Sequence, residues 1–224
     1  MSTYMTQPTT SPTIKAVFWD IDGTLIDSEE LHYQVIADWC KDRGYTLNIE
    51  DNAELLGKSM AEKWQHLSSV YDFNADSTLF STECAQMYCK ALKPEMKRSE
   101  PVGVFSEIAA RKIPQACVSN GDLAVVAANL TTLQLTEFVS FSISGEDVDN
   151  GKPHPEPYLL AAKKIGISPN QCLVVEDSTV GVKSASAAGM TVVAWPEPGT
   201  PKDGYELADF FIRSSTDFPW QLFT

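Results

Sequence analysis

Short apolar runs recur down the chain, and each is followed by residues at helical spacing. The first is Ala16-Val17-Phe18-Trp19, which leads into Asp20-Ile21-Asp22-Gly23. Gln115-Ala116-Cys117-Val118 and Cys172-Leu173-Val174-Val175 are equally apolar, and Thr191 to Trp195 and Phe210-Phe211-Ile212 read as two further strands. A strand buried on both faces looks like a continuous apolar run. Phe138 to Ile143 alternates instead, as a half-buried strand does. Between these runs, Val104 to Arg111, Asp122 to Leu133, Pro155 to Ile165 and Ser178 to Ala188 have helical spacing. Strands alternating with helices predict an α/β fold: a Rossmann-like, mostly parallel sheet with helices on both faces.

One stretch breaks the alternation. Asp27-Ser28-Glu29-Glu30 puts acids in a first helical turn, and Leu31, Val35, Ile36 and Trp39 recur at helical spacing up to Gly44. Ala53-Glu54-Leu55-Leu56 ends at Gly57, and Met60 to Tyr71 and Ser81 to Leu92 follow as helices. A parallel crossover needs only a dozen or more residues. The length of this stretch therefore predicts an inserted all-helical cap subdomain. The expected organisation is a flexible tail over 1–12, an α/β core over 13–28 and 95–224, and a helical cap over 29–94.

Composition narrows the partners. At 224 residues, 43% hydrophobic and 21% charged, the chain has ordinary globular usage. A net charge of −13 argues against nucleic acid and anionic membranes, which need basic surfaces. A small anionic substrate needs only a local positive site. Five scattered cysteines without a Cys-x-x-Cys pair make neither a disulfide framework nor a zinc site. The Thr/Ser/Pro-rich start has no apolar stretch of signal or membrane type. A cytoplasmic protein, monomeric or weakly dimeric, is expected.

The strand ends carry the candidate chemistry. Asp20 and Asp22, two apart on an extended chain, face the same way, and Gly23 lets the backbone turn beyond them. Paired carboxylates call for a shared proton or a cation, and hard divalent cations take oxygen ligands. An EF-hand loop counted from Asp20 would need glycine at its sixth place and glutamate at its twelfth, where Leu25 and Leu31 stand. Ser119-Asn120-Gly121 after Val118 suits either a helix cap or a phosphate site. Glu176-Asp177-Ser178 after Val175 suits either capping or metal ligation. Lys152, among Gly151, Pro153 and Pro155, could be solvated or fixed against an anion; His154 reads as exposed. A parallel sheet gathers all these strand ends at one edge.

Phe18-Trp19-Asp20-Ile21-Asp22-Gly23-Thr24-Leu25, then Ser119, Gly151-Lys152-Pro153 and Glu176-Asp177 resemble, in order, the four motifs of the haloacid dehalogenase superfamily. The insert resembles the cap of its phosphoglycolate phosphatase and β-phosphoglucomutase branch. The resemblance implies a Mg²⁺-dependent phosphatase acting on a small phosphorylated metabolite such as a sugar phosphate. Asp20 would be the nucleophile and Asp22 the acid/base. Ser119, Asn120 and Lys152 would hold the phosphate. Asp20, Asp177 and the Asp22 backbone carbonyl would hold the metal, with Glu176 behind them. Thr24 is expected to support the loop. His32 matches a histidine near the hinge of such proteins, and Lys58 and Lys63 are candidate cap contacts. The alternatives are a phosphosugar mutase, disfavoured because Met60 stands where the mutases carry an arginine, and a non-enzymatic phospho-acceptor, disfavoured by Asp22 and the cap.

Overall fold

The structure is a computed structural model that describes residues 13–47, 51, 55 and 58–223. The expected tail over 1–12 and the expected Ala53–Leu56 helix ending at Gly57 lie outside the described residues, Leu55 excepted.

Six strands form one fully parallel sheet: β1 (Ala16–Trp19), β2 (Gln115–Val118), β3 (Ser142–Ile143), β4 (Cys172–Glu176), β5 (Thr191–Ala194) and β6 (Phe210–Phe211). Their order is β3-β2-β1-β4-β5-β6. The sequence runs outward in both directions from β1, so the order reverses between β1 and β4, the place where open α/β sheets bind ligands.

Alternate strand residues supply two cores. Val17 and Trp19 pack with Val104, Phe105 and Ile108 of α4 (Ser99–Ala110) and with Val126 and Leu130 of α5 (Leu123–Thr132). Ala16 and Phe18 pack on the opposite face with Tyr158 and Ala161 of α6 (Glu156–Ile165) and with Val182 and Ala185 of α7 (Thr179–Ala187). The result is three layers around a sheet that is dry on both sides.

The insert supplies α1 (Glu29–Lys41), α2 (Met60–Val70) and α3 (Ser77–Ala91). Their apolar faces make a third, separate cluster around Trp39, Leu67, Phe80 and Tyr88, joined to the core helices through Val125. The two chain crossings into the insert are tied together: Ile26 bridges Lys97, Asp27 N–H donates to Met96 O at 2.8 Å, and Arg98 N–H donates to Leu25 O at 3.0 Å.

Three element limits differ from the sequence expectation. α4 begins at Ser99 rather than Val104 because Pro101 falls in its first turn, where a missing N–H costs nothing. α3 begins at Ser77 because Asp76 caps it, accepting from Leu79 N–H at 2.8 Å. The Phe138–Ile143 strand shrinks to Ser142–Ile143, with a 3₁₀ turn at Thr136–Phe138 and Phe138 exposed. It is a sheet edge, with a partner on one side only.

Candidate active site

β1 and β4 run in register, Trp19 beside Val175, so their next residues emerge side by side at the carboxyl edge. Asp20 comes from β1, while Glu176 and Asp177 come from β4 and its end. Carboxylate oxygens of these three acids lie within 4.8 Å of one another. Lys152, from the loop before α6, reaches between two of them. Its Nζ lies 2.6 Å from Asp20 Oδ1, 2.6 Å from Glu176 Oε1 and 2.8 Å from the Val118 carbonyl. Burial alone would lower the pKa of this lysine; Asp20 and Glu176 outweigh it and hold the ammonium well above its usual range.

The negative charge is not balanced. Burial pushes the Asp20 carboxyl well above its usual range, with Glu176 and Asp177 adding to the rise and Lys152 opposing it. Burial, then Glu176, raises Asp177 to about 7. Two buried acids and a half-buried third against one ammonium form a donor set that a hard divalent cation would relieve. Asp20 Oδ2 receives no hydrogen bond among the described residues, and Asp20 lines the cavity.

Two glycines let these acids pack. Gly23 has φ +80°, and a side chain there would sit 2.2 Å from Asp177 Oδ2. At Gly181 it would collide with the Glu176 carboxylate at 1.9 Å. Thr24 Oγ1 donates to Asp177 Oδ1 at 2.9 Å, so it supports the loop. Glu176 is fully buried and is held by Lys152, Tyr158 Oη (2.6 Å) and Ser178 Oγ (3.2 Å).

The Asp22 carboxylate turns away from this cluster. Its Oδ1 receives Ser28 Oγ at 2.8 Å and Asn129 Nδ2 at 3.1 Å; His32 Nε2 lies at 3.2 Å and Tyr88 Oη at 3.3 Å. Ser119 Oγ lies 3.4 Å from Oδ2. Burial favours protonation of Asp22, but the contacts with His32, Ser28 and Asn129 win and bring its pKa down to about 2. Ser28, at the N-cap of α1, makes no side-chain cap bond and serves Asp22 instead.

One cavity of about 180 Å³ is lined by Asp20, Asp22, Ser119, Asn120, Lys152 and Asp177 from the core, and by His32, Lys58 and Lys63 from the insert. Glu176, buried behind, and Thr24, under the loop, are the side chains named from sequence that do not line it. Asn120 contributes differently from the sequence expectation. Its side chain buckles the Lys152 loop, accepting from Lys152 N–H at 2.8 Å and donating to Lys152 O at 3.1 Å. His154 is exposed.

Sequence reasoning missed Asn129, Tyr88, Tyr158 and Arg98. Asn129 carried a signal, a lone amide on the buried face of an apolar helix. Arg98 ties the loop after β1 to the end of β5 by donating to the carbonyls of Gly23, Trp195 and Pro196.

The sheet order and this edge of clustered acids define an α/β core with its site at the carboxyl end of the sheet and an inserted helical subdomain beside it. The sequence matches the haloacid dehalogenase-like hydrolase family over residues 17–195, and the chain belongs to that family. It is similar to hexitol phosphatase A of Escherichia coli, 31% identical over 84% of this chain and 86% of that protein. It is also similar to 6-phosphogluconate phosphatase of Escherichia coli, 28% identical over 80% and 81%. The fold is similar to that of CbbY from Rhodobacter sphaeroides in complex with phosphate, with a TM-score of 0.83 at 22% identity over 92% and 96% of the two chains. It also resembles β-phosphoglucomutase from Clostridium difficile, TM-score 0.77 at 20% identity over 93% and 94%.

Proposed function

We propose that the chain is a Mg²⁺-dependent phosphatase that hydrolyses a small phosphomonoester, a sugar phosphate or similar metabolite, through an aspartyl-phosphate on Asp20. The observation that carries this reading is Asp20 itself. One of its oxygens is pinned by Lys152 and the other is without a donor, at the mouth of a small cavity.

Asp20 Oδ2 attacks phosphorus and the bond to the leaving oxygen breaks, which splits one hard displacement into two easier ones. Asp22 delivers a proton to the departing alkoxide. Water then attacks the aspartyl-phosphate, Asp22 takes its proton, and phosphate leaves with the Asp20 carboxylate restored. In the arrangement seen here Asp22 is ionised and set to accept a proton. Donating one requires its donors to let go, and two of them, His32 and Tyr88, stand on insert helices that cap movement would shift. Ser119 Oγ, the Asn120 N–H and the Lys152 ammonium stabilise charge on the transferring group. Asp20 and Asp177, with the Asp22 backbone carbonyl, would hold Mg²⁺, while Glu176 orients Lys152 from behind. The bound ion supplies positive charge that screens carboxylate from phosphate.

A cavity of about 180 Å³ is small beside the roughly 300–1,000 Å³ of drug-sized clefts, which suits a metabolite. The five cysteines are free, which suits a reducing cytoplasm, and no helix among the described residues is long and apolar enough to cross a membrane. The test is Mg²⁺-dependent phosphate release across a panel of phosphomonoesters. Wild type is expected to turn over at least one; retained release by Asp20→Asn would overturn the assignment. Isomerisation of a hexose monophosphate without net phosphate release would favour the mutase alternative.

A further inference from the structure

Lys152 has no spare donor. An ammonium carries three N–H groups, and its acceptors here are Asp20 Oδ1 at 2.6 Å, Glu176 Oε1 at 2.6 Å and the Val118 carbonyl at 2.8 Å. To stabilise charge on a transferring phosphoryl group, Lys152 has to release one of them. The two acids are not equally provided for. Asp20 receives no other side-chain donor among the described residues. The Glu176 carboxylate has two more: Tyr158 Oη donates to the same Oε1 at 2.6 Å, and Ser178 Oγ donates to Oε2 at 3.2 Å. Glu176 is therefore the acid that Lys152 can leave at the lower cost.

That lower cost depends on Tyr158. Glu176 is fully buried, and a buried carboxylate stripped of its partners is strongly disfavoured. With Lys152 turned away, Tyr158 gives the one short bond that remains, because the Ser178 contact is long for a hydroxyl donor. Tyr158 stands on α6, is fully buried in the same core as Ala16 and Phe18, and does not line the cavity. A phenylalanine would fill that place in the core equally well. A buried hydroxyl is costly without a partner, and the partner of this one is Glu176. The face of the Tyr158 ring also lies 5.1 Å from Lys152 Nζ, within cation–π range, so one side chain touches both members of the pair.

We propose that Tyr158 is a positioning residue: it holds the Glu176 carboxylate so that Lys152 can turn one N–H from Glu176 to the phosphoryl group under attack. This rests on the phosphatase reading above and deepens it. No proton is transferred in this exchange. One N–H contact replaces another, Glu176 stays ionised, Tyr158 stays a phenol, and Lys152 keeps its hold on Asp20 Oδ1.

The test is Tyr158→Phe, which keeps the ring and loses the hydroxyl, assayed with Mg²⁺ on the phosphomonoester that wild type turns over fastest. The value of kcat should fall about tenfold, the lower end of what a hydrogen bond to a charged group is worth, and KM should move much less because Tyr158 touches no substrate. In a Glu176→Gln background no buried charge is left to hold, so the same change should cost less than about twofold. Equal losses in both backgrounds, or no loss in the first, overturn the proposal while the phosphatase reading stands. In metal-free protein the nitrogen NMR resonance of the Lys152 ammonium should shift in Tyr158→Phe, as Glu176 draws the ammonium closer; a resonance that stays in place overturns the proposal even where activity falls. Absence of release from every ester in folded wild-type protein overturns both readings.

Discussion

At the carboxyl edge of the sheet, charged side chains are buried and each is fixed by named partners, whereas in the insert the buried material is mostly apolar and gathers around Trp39, Phe80 and Tyr88. Lys152 touches two acids and a carbonyl, and Glu176 receives three donors. Trp39, by contrast, lies edge-on to Phe73 and Phe80 at 5.0 and 4.9 Å between ring centroids. Its Nε1 still reaches Glu83 at 2.8 Å, but that bond lies at the insert's rim. Buried charge in the core is held in tension and relieved by what binds. Buried rings in the insert give stability that depends on no ligand. The contrast sets a wall of buried charge against a wall of packed rings; the proposed function puts chemistry on the first and closure on the second, and it can be broken from either side.

The largest effect belongs to the core. Asp20→Asn should cut phosphate release by on the order of 10⁴–10⁶-fold, as loss of a covalent nucleophile does. Because Asp20 sits among like charges, the same change should leave thermal stability unchanged or raised. Activity assays and calorimetry on one preparation check both halves; lost activity with an equal loss of fold would mean that the acids stabilise rather than react. Asp22→Asn should cost about 10²–10⁴-fold in kcat, the usual worth of a placed acid/base.

The insert answers in stability. Trp39→Ala should lower stability by about 3–5 kcal/mol, as deletion of a large buried ring does. Urea unfolding should then show the insert melting ahead of the sheet. A single transition shifted as a whole would show that the two regions are one cooperative unit.

These two regions were unequally legible in the sequence. Asp20 and Asp22 were readable as the residues just past the first strand, but β1 ends at Trp19 and the two carboxylates do not face the same way as an extended chain would have them. Lys152 and Asp177 were readable because parallel strands bring their ends to one edge whatever lies between. The direction the Asp22 side chain takes was not readable. It is set by Ser28, Asn129 and Tyr88 on three different helices, and the rotation of a helix against its neighbours follows from packing, not from local spacing. The side-chain contacts of Asn120 were hidden for a related reason: a loop thirty-two positions further on takes its amide, which leaves only the backbone N–H to face the cavity it lines. The start of α4 was hidden by Pro101, which reads as a break and is also at home in a first turn.

A smaller effect tests the tension in the core directly. Asp177 titrates near 7 in the fold against an ordinary carboxyl value of 3.8. Between roughly pH 4 and 7 the folded protein therefore keeps a proton that the unfolded chain has lost. Stability should fall as pH rises across that window and level off above it. If Asp177 helps to hold Mg²⁺ as proposed, the ion should favour the ionised folded form, and its stabilising effect at millimolar concentration should grow with pH over the same range. Melting temperatures with and without the ion decide; an Mg²⁺ effect independent of pH would count against Asp177 as a ligand.

The smallest effect lies where the two regions meet. Tyr88 belongs to an insert helix, stacks on His32 at 4.5 Å, and places its hydroxyl 2.8 Å from Asn129 Oδ1 and 3.3 Å from Asp22 Oδ1. Asn129 belongs to a core helix and passes the contact on, its Nδ2 donating to Asp22. Tyr88→Phe keeps the ring and the stack but removes the link. Stability should drop by about 1 kcal/mol, the net worth of one hydrogen bond. The fall in kcat should stay within about tenfold, because Ser28, His32 and Asn129 still hold the carboxylate. A fall approaching that of Asp22→Asn would mean that the insert takes part in the proton transfer itself, and the division between a reacting wall and a closing wall would have to be abandoned.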